Sequence, residues 1–234
     1  TYGYNLEPGS KELTALNYYT NEEITIPLDP TQTPGENAQR YFAKYNKQKR
    51  TFEALTELIQ ETADDIQYLE SISNALDIAL SEADLAQIKE ELMQSGYIRR
   101  KHTKKKVKLT SKPMHYISSD GYDMYVGKNN LQNEELTFSF ANGNDWWFHA
   151  KGAPGSHVIV KSGGDELPDR TFEEAGRLAA YYSKNRGADK VEIDYIQKKH
   201  VKKPNGAKPG FVVYYTNYSL VIDSDISNIK NVQD

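Results

Sequence analysis

Residues 145–160, DWWFHAKGAPGSHVIV, have the pattern of a β-hairpin whose two strands meet at a turn rich in Gly and Pro. Because side chains alternate along a strand, one face of the first strand is apolar and the other combines rings with a cation. The apolar face consists of Trp146, Phe148 and Ala150, and the second face of Trp147, His149 and Lys151. Pro154 and Gly155 suit a type II turn, in which the glycine takes a positive φ. The returning strand adds His157 to the second face, which makes that face amphipathic.

The amphipathic face indicates a nucleic-acid surface, because rings stack on bases and cations hold phosphates. Plain packing of the hairpin, with His149 hydrogen-bonded internally, explains the same residues and stays an open alternative. A metal site is disfavoured because His149 and His157 lack a third ligand in a His-x-x-His or Cys pattern. Ser156 and His157 make a poor nucleophilic pair, since neighbours on a strand point to opposite faces. We therefore predict no catalytic residue, no metal and no cofactor, and a protein that is not an enzyme.

The hairpin belongs to a predicted α+β domain over residues 113–234, with a mostly antiparallel sheet and one packed helix. Alternating apolar residues predict a strand pair at 115–126, which turns at Asp120-Gly121. Further strands are predicted at 136–140, 146–151, 157–161, 191–196 and 211–222. Between them, Thr171 and Glu174 form a capping box that starts a helix, and Gly187 ends it.

A long helix precedes this domain, because apolar residues recur at alternating steps of three and four. The stripe consists of Phe52, Leu55, Ile59, Thr62, Ile66, Leu69, Ile72, Leu76 and Leu80. It predicts a projecting helix of coiled-coil type that starts near Asn37 and runs for about 40 residues, or about 60 Å. No second helix of that length is available in the chain to cover the stripe. Either two copies associate through it, or the partner helix lies in upstream sequence.

A shorter helix follows, because Ser81 and Asp84 form a second capping box and Gly96 gives a stop signal. Residues 36–97 are thus the predicted helical part. Residues 1–35 are predicted to be irregular, since Pro and Gly interrupt them around one extended run at 23–28. The chain begins without Met, so we expect it to be a piece of a longer protein.

Charge is segregated along the chain, although the net charge of −4 taken alone argues against a polyanionic partner. Residues 36–95 hold twelve acidic and six basic side chains. By contrast, the linker at 98–112 holds eight Lys or Arg and no acid, and residues 184–208 hold eight against three acids. Such basic segments are typical of a polyanion site. The open alternative is that these two basic segments are only a solvated linker and a solvated loop.

Two polar turns extend the predicted RNA-facing surface. Residues 127–130 combine backbone N–H groups with a lysine, an arrangement that can cradle a phosphate. The loop at 198–210 holds five Lys among Pro and Gly, which either fix charges for phosphate contacts or merely route the chain between strands. The predicted RNA-binding residues are Lys128, Asn129, Asn130, Trp147, His149, Lys151, His157, Lys198, Lys199, Lys202, Lys203 and Lys208.

The composition excludes several classes of protein. Cysteine is absent, which rules out disulfide scaffolds, thiol catalysis and cysteine-ligated zinc and fits a reducing cytoplasm. Uninterrupted apolar runs, such as 211–215, contain only a few residues and are too short to span a bilayer.

Four segments resemble the NFACT-R domain of the bacterial RqcH family, long called fibronectin-binding protein A, whose eukaryotic relative is NEMF. They are YVGKNNLQNEELTF (125–138), DWWFHAKGAPGSHVIV (145–160), EEAGRLAAYYSKNR (173–186) and KKHVKKPNGAKPGFVVYY (198–215), in the family's order. Residues 17–50 resemble the second half of the same family's coiled-coil middle region. The resemblance covers about 17–234, and residues 1–16 depart from it. Lys128, Asn129 and His149 fall within the motifs.

The resemblance implies a role in ribosome-associated quality control. Its members bind the large ribosomal subunit that carries an obstructed chain, recruit alanyl-tRNA and support template-free alanine tailing of that chain. It also implies that the partner of the long helix lies in upstream sequence. The older family name implies an alternative, a cell-surface adhesin for fibronectin, to which the apolar stripe offers an adhesive surface. The first role implies a cytoplasmic protein, and the second a bacterial cell surface.

Overall fold

The structure, a computed structural model, describes residues 6–99 and 111–232. The predicted basic linker at 98–112 therefore lies mostly outside the described residues. The chain forms two compact units, which divide between Asp64 and Asp65. In the described ranges, no helix is both long enough and apolar enough to cross a membrane.

The first unit begins with a β-hairpin. β1 (Glu12–Asn17) pairs antiparallel with β2 (Glu22–Pro27), and Asn21 takes a φ of 55° in the turn. The extended run expected at 23–28 corresponds to β2, and the prediction of irregular structure is wrong at 12–17, where β1 lies. Only Leu13 and Ala15 mark the inner side of β1, and two apolar residues are a weak signal for a strand.

Helix α1 (Pro34–Ile78) confirms the predicted long helix and crosses the boundary between the units. Pro34 suits the first helical position because its missing N–H has no helical partner there. Thr33 and Glu36 cap the helix, since the Thr33 N–H donates to Glu36 Oε2 at 2.8 Å and the Glu36 N–H donates to Thr33 Oγ1 at 3.3 Å. Much of the apolar stripe is exposed, namely Phe52, Leu55, Ile59, Ile66, Leu69 and Leu76.

Helix α2 (Glu82–Gln94) packs against the end of α1 within the second unit. The predicted capping box of Ser81 and Asp84 is present, and Gly96 follows the helix with a φ of 81°. The residues buried between the two helices are Tyr68, Ile72, Ala75 and Ile88. This end of the apolar stripe is therefore covered within the chain.

A seven-stranded antiparallel sheet forms the body of the second unit and confirms the predicted α+β class. In spatial order its strands are β8 (Tyr218–Ile222), β7 (Val191–Gln197), β5 (Trp146–Ala150), β6 (Val158–Val160), β4 (Asp123–Val126), β3 (Met114–Ile117) and β9 (Lys230–Asn231). A 3₁₀ turn (Lys198–His200) follows β7, and a short helix, α3 (Asn130–Glu135), follows β4. Residues 145–160 supply the neighbouring strands β5 and β6, as predicted.

The turn of this hairpin differs from the predicted type II turn. Gly152 takes the positive φ, 62°, and Gly155 does not. Gly155 instead forms a backbone bridge with Ser183, whose side chain would lie 3.0 Å from a Cβ at position 155. The glycine is required there for close approach of two chain segments rather than for its φ angle.

Helix α4 (Asp169–Tyr181) covers one face of the sheet. It begins after Pro168 and ends before the predicted stop at Gly187, and the predicted capping box of Thr171 and Glu174 is wrong. Thr171 Oγ1 donates to Asp120 Oδ2 at 2.8 Å, and Glu174 Oε2 accepts the Ser119 N–H at 2.8 Å. These side chains therefore fix the turn between β3 and β4.

The second face of the sheet is covered by segments that were predicted to be strands. Residues 136–140 form a π-helix (Leu136–Phe140), and 211–217 are irregular apart from one bridge at Val213. Leu136, Val201, Val212 and Tyr214 pack with Trp147 and Ile159 on this face. Apolar alternation also arises where an irregular segment lies on a sheet, so the pattern does not separate the two cases.

Candidate nucleic-acid interface

The amphipathic face of the β5–β6 hairpin is internal. Trp147 and His157 are buried, and the Tyr214 ring lies 5.0 Å from the Trp147 ring. His149, which is half-buried, stacks on Trp147 at 5.5 Å and lies 5.4 Å from the His157 ring. The predicted exposure of Trp147 and His157 to RNA is therefore wrong, because Tyr214 packs on Trp147, and Asn133 and Thr137 contact His157.

Burial keeps both imidazoles neutral at pH 7. It lowers the pKa of His149 to about 4 and holds the pKa of His157 well below its usual range, with a further lowering by His149. His157 Nδ1 lies 2.8 Å from Thr137 Oγ1, and the His157 N–H donates to Asn133 Oδ1 at 2.9 Å. Across residues 6–99 and 111–232, no group of three His, Asp or Glu is placed to hold a metal ion.

The side chains of the polar turn at 127–130 contact helix α2. Each of the three predicted RNA-binding side chains of this turn contacts one side chain of that helix. The contacts are Lys128 Nζ to Asp84 Oδ1 (3.2 Å), Asn129 Nδ2 to Gln87 Oε1 (2.7 Å) and Asn130 Nδ2 to Glu91 Oε1 (2.8 Å). Asn129 and Asn130 are also buried. The prediction of a free phosphate cradle here is wrong, because these residues join α2 to the sheet domain.

The lysines of the predicted surface fall into two groups. Those already compensated by a carboxylate are Lys151 with Glu192 (2.5 Å), Lys203 with Glu134 (2.7 Å) and Lys208 with Asp65. By contrast, Lys198, Lys199 and Lys202 form no ion pair with any residue that the structure describes. The backbone N–H groups of Lys198 and Lys199 donate to Asp145 O (2.8 Å) and Gly143 O (2.9 Å). This anchors the backbone of two uncompensated cations.

An aromatic cluster that was not predicted from the sequence lies on the same side of the sheet. His115 and Tyr125 stack with ring centroids 4.5 Å apart and an angle of 2° between the rings. Phe140 meets the Tyr125 ring edge-on at 4.7 Å, and 42% of its surface is exposed. His115, Tyr125 and Phe140 are called the aromatic cluster below.

The π-helix joins the aromatic cluster to the lysines. It carries both Phe140 and Phe138, and Lys198 Nζ lies 5.9 Å from the Phe138 ring centroid. Lys161 Nζ lies 4.8 Å from the Phe140 ring centroid and 2.5 Å from Asp145 Oδ2. Because Asp145 contacts both Lys161 and the backbone of Lys198, rings and cations share one surface. The aromatic cluster with Lys198, Lys199 and Lys202 is the candidate interface, and Lys161, whose charge is compensated by Asp145, borders it.

Part of the aromatic cluster has a signal in the sequence. His115 and Tyr125 occupy facing positions of β3 and β4, and alternation places both opposite the buried Met114 and Val126. A facing pair of rings on the side of a hairpin away from its core is a recognisable pattern. Phe140 has no such signal, because its position depends on the π-helix.

Comparisons with known proteins give one family. Residues 1–111 match the NFACT N-terminal and middle domains, and residues 112–216 match the NFACT protein RNA binding domain. The match starts at residue 1, so the expected departure of residues 1–16 is wrong. Proteins named Rqc2 homolog RqcH are 46% identical over 218 residues in Streptococcus pneumoniae serotype 2 (strain D39 / NCTC 7466) and 41% identical over 233 residues in Bacillus subtilis (strain 168).

These alignments cover 93% and 97% of this chain but only 39% and 40% of the relatives. The chain thus spans about two fifths of their length. A solved structure with a TM-score of 0.76 and 44% identity covers 84% of this chain, and 78% of that chain is covered. It is the C-terminal part of the fibronectin/fibrinogen-binding protein from Streptococcus suis (FBPS).

Proposed function

The chain belongs to the NFACT family, and we propose on this basis that it is the RNA-binding part of a ribosome quality-control factor. The observation that carries the proposal is a group of three lysines, Lys198, Lys199 and Lys202, which form no ion pair with a described residue, together with an aromatic cluster whose Phe140 is 42% exposed. Cations bind phosphates and rings stack on bases, so this surface has both components of an RNA site. The chain acts by binding, without a chemical step of its own.

The geometry of the interface favours specific RNA contacts over nonspecific electrostatic attraction. The backbones of Lys198 and Lys199 are anchored to Asp145 and Gly143, and Lys198 rests near the Phe138 ring. Cations on an anchored backbone lose less conformational freedom on binding than cations on a flexible tail. Positions fixed in this way select one register of the RNA backbone.

The partners that we propose are the large ribosomal subunit and tRNA, alanyl-tRNA in particular, in the cytoplasm. The similarity to proteins named Rqc2 homolog RqcH supports these partners. Alanine tailing of obstructed chains, the activity that the family resemblance implies, belongs to a protein longer than this chain. In that longer protein, the candidate interface supplies contacts to RNA.

A second candidate function is binding of fibronectin at a cell surface. The name of the structural relative from Streptococcus suis supports it, as do exposed apolar side chains of α1 such as Phe52 and Ile59. Binding through this stripe would be apolar and would depend little on salt.

The experiment that tests the RNA proposal measures the affinity of the chain for deacylated tRNA across a series of salt concentrations. Replacing Lys198, Lys199 and Lys202 together by Ala is expected to weaken binding by about tenfold or more. It is also expected to reduce the slope of log K against log salt by about 2, because up to three phosphate contacts are lost.

The matched control replaces the compensated lysines Lys151, Lys203 and Lys208 by Ala. It removes the same charge, and we expect a smaller loss of affinity. Equal losses of RNA affinity in the two variants would contradict the proposal, because they would show that only the total charge matters. No RNA binding by the unaltered chain, together with saturable fibronectin binding that an acidic substitution in the stripe removes, would favour the second candidate.

A further inference from the structure

We propose that the candidate interface binds unpaired nucleotides, with a base stacked on the aromatic cluster and its backbone directed to the lysines. This inference rests on the proposed RNA-binding function and specifies its substrate class. The preference arises because a single strand offers free base faces, whereas the bases of a duplex are already stacked on one another.

The rings are available because the cover on the second sheet face leaves the Phe140 side chain accessible. Trp147 is buried against Tyr214, whereas Phe140, which meets the Tyr125 ring edge-on, is 42% exposed. Tyr125 is half-buried and is supported by the parallel His115 ring, whose centroid lies 4.5 Å away. A ring that is supported from behind keeps its orientation and loses little freedom when a base stacks on it.

The charges around the cluster give the bound strand a direction. Asp123 lies at one side, where its Oδ1 is 2.7 Å from His115 Nε2 and its side chain is 49% exposed. A carboxylate repels phosphate and accepts hydrogen bonds from the amino groups of bases. Lys161 is a neighbour of Asp123, because its backbone N–H donates to Asp123 O at 2.9 Å. Lys198 lies farther away, since it follows β7, three strands from β4 in the sheet, and its Nζ is 5.9 Å from the Phe138 ring centroid. We therefore expect the phosphates to lie towards Lys198 and the base edges towards Asp123.

The test compares an unstructured 12-nucleotide RNA with a blunt duplex of the same sequence, by fluorescence anisotropy with the full chain. We expect the single strand to bind more tightly than the duplex. Phe140→Leu is expected to weaken single-strand binding by about fivefold or more, the loss of one stacked base, and to leave the salt slope unchanged. The affinity for the duplex should be the same for the unaltered chain and for the Phe140→Leu variant.

Phe211→Leu is the matched control, because Phe211 has a similar exposure of 47% and follows Gly210, whose N–H donates to Glu134 in α3. Photocrosslinking of a strand that contains 5-iodouridine tests the same contact without a substitution. We expect the crosslink at Phe140 or Tyr125 in the unaltered chain.

The outcomes separate this inference from the proposed function. If the lysine variant loses affinity while Phe140→Leu matches Phe211→Leu and no crosslink forms at the cluster, the inference is overturned and RNA binding stands. Equal binding of strand and duplex also overturns it. If neither RNA binds, both proposals fail together.

Discussion

Lys128 Nζ lies 3.2 Å from Asp84 Oδ1, and this ion pair joins the turn before α3 to the first turn of α2. Asp84 is buried, and burial opposes its ionisation. Hydrogen bonds from Ser111, from the Leu80 backbone, from Ser81 and from Lys128 outweigh that effect and hold the pKa of Asp84 at about 2. A lysine that the sequence offers as a phosphate ligand thus compensates an internal carboxylate.

Replacing Lys128 by Met is expected to lower the free energy of unfolding by about 2–4 kcal/mol, because Asp84 is left buried without its cation. Urea unfolding measures the change, and Lys89→Met on α2, where the side chain is exposed, is the control. We expect the RNA affinity of the folded variant to be unchanged. A loss of affinity at unchanged stability would instead place Lys128 on the RNA surface.

Acidification is expected to destabilise the fold through His149. Burial lowers its folded-state pKa to about 4 from an ordinary value of 6.5, so the unfolded state takes up the proton first. The stabilisation is present above about pH 6.5 and is lost as the pH falls towards 4, by roughly 2 kcal/mol at pH 5.

His149→Gln should flatten this dependence in urea titrations between pH 7 and pH 5. The control is His200→Gln, since His200 is exposed. Identical pH dependence in the two variants would contradict the assignment to His149.

The Glu174→Gln variant tests whether Glu174 caps α4 or stabilises the turn between β3 and β4. The carboxylate accepts the N–H and the hydroxyl of Ser119, so its neutralisation is expected to cost about 1–2 kcal/mol of stability. Hydrogen exchange of the Ser119 amide should accelerate more than exchange at the start of α4. The exposed neighbour Glu173→Gln is the control. Faster exchange confined to the first turn of α4 would restore the capping interpretation.

Exposed apolar residues of α1 predict self-association of the chain. Sedimentation equilibrium should show a mass that rises with concentration, because the stripe from Phe52 to Leu69 is solvent-exposed. The double variant Phe52→Glu, Ile59→Glu should be monomeric, whereas Gln48→Glu, Gln67→Glu off the stripe should behave as the unaltered chain. A monomer at all concentrations would favour a partner helix from upstream sequence.

The elements with a strong local period were predictable. Helices α1 and α2, the capping box at Ser81 and the two hairpins of the sheet follow from period and turn chemistry that neighbouring residues determine. The structure of segments 136–140 and 211–217 was not predictable, because their apolar residues alternate as in strands although the segments pack on the sheet instead of pairing with it. Of the predicted site, Lys198, Lys199 and Lys202 remain available, and Lys128, Trp147 and His157 do not.

The sequence by itself determined the fold class, the family and which residue types the domain can offer to RNA, because these depend on periodicity and motif order. Only the tertiary structure decided which of those side chains are free. Whether a lysine meets solvent or a carboxylate depends on residues far away in sequence, as Asp84 does for Lys128 across 44 positions. Whether a ring stacks on RNA or in the core depends on what covers it, as the segment of Tyr214 covers Trp147 and leaves Phe140 exposed.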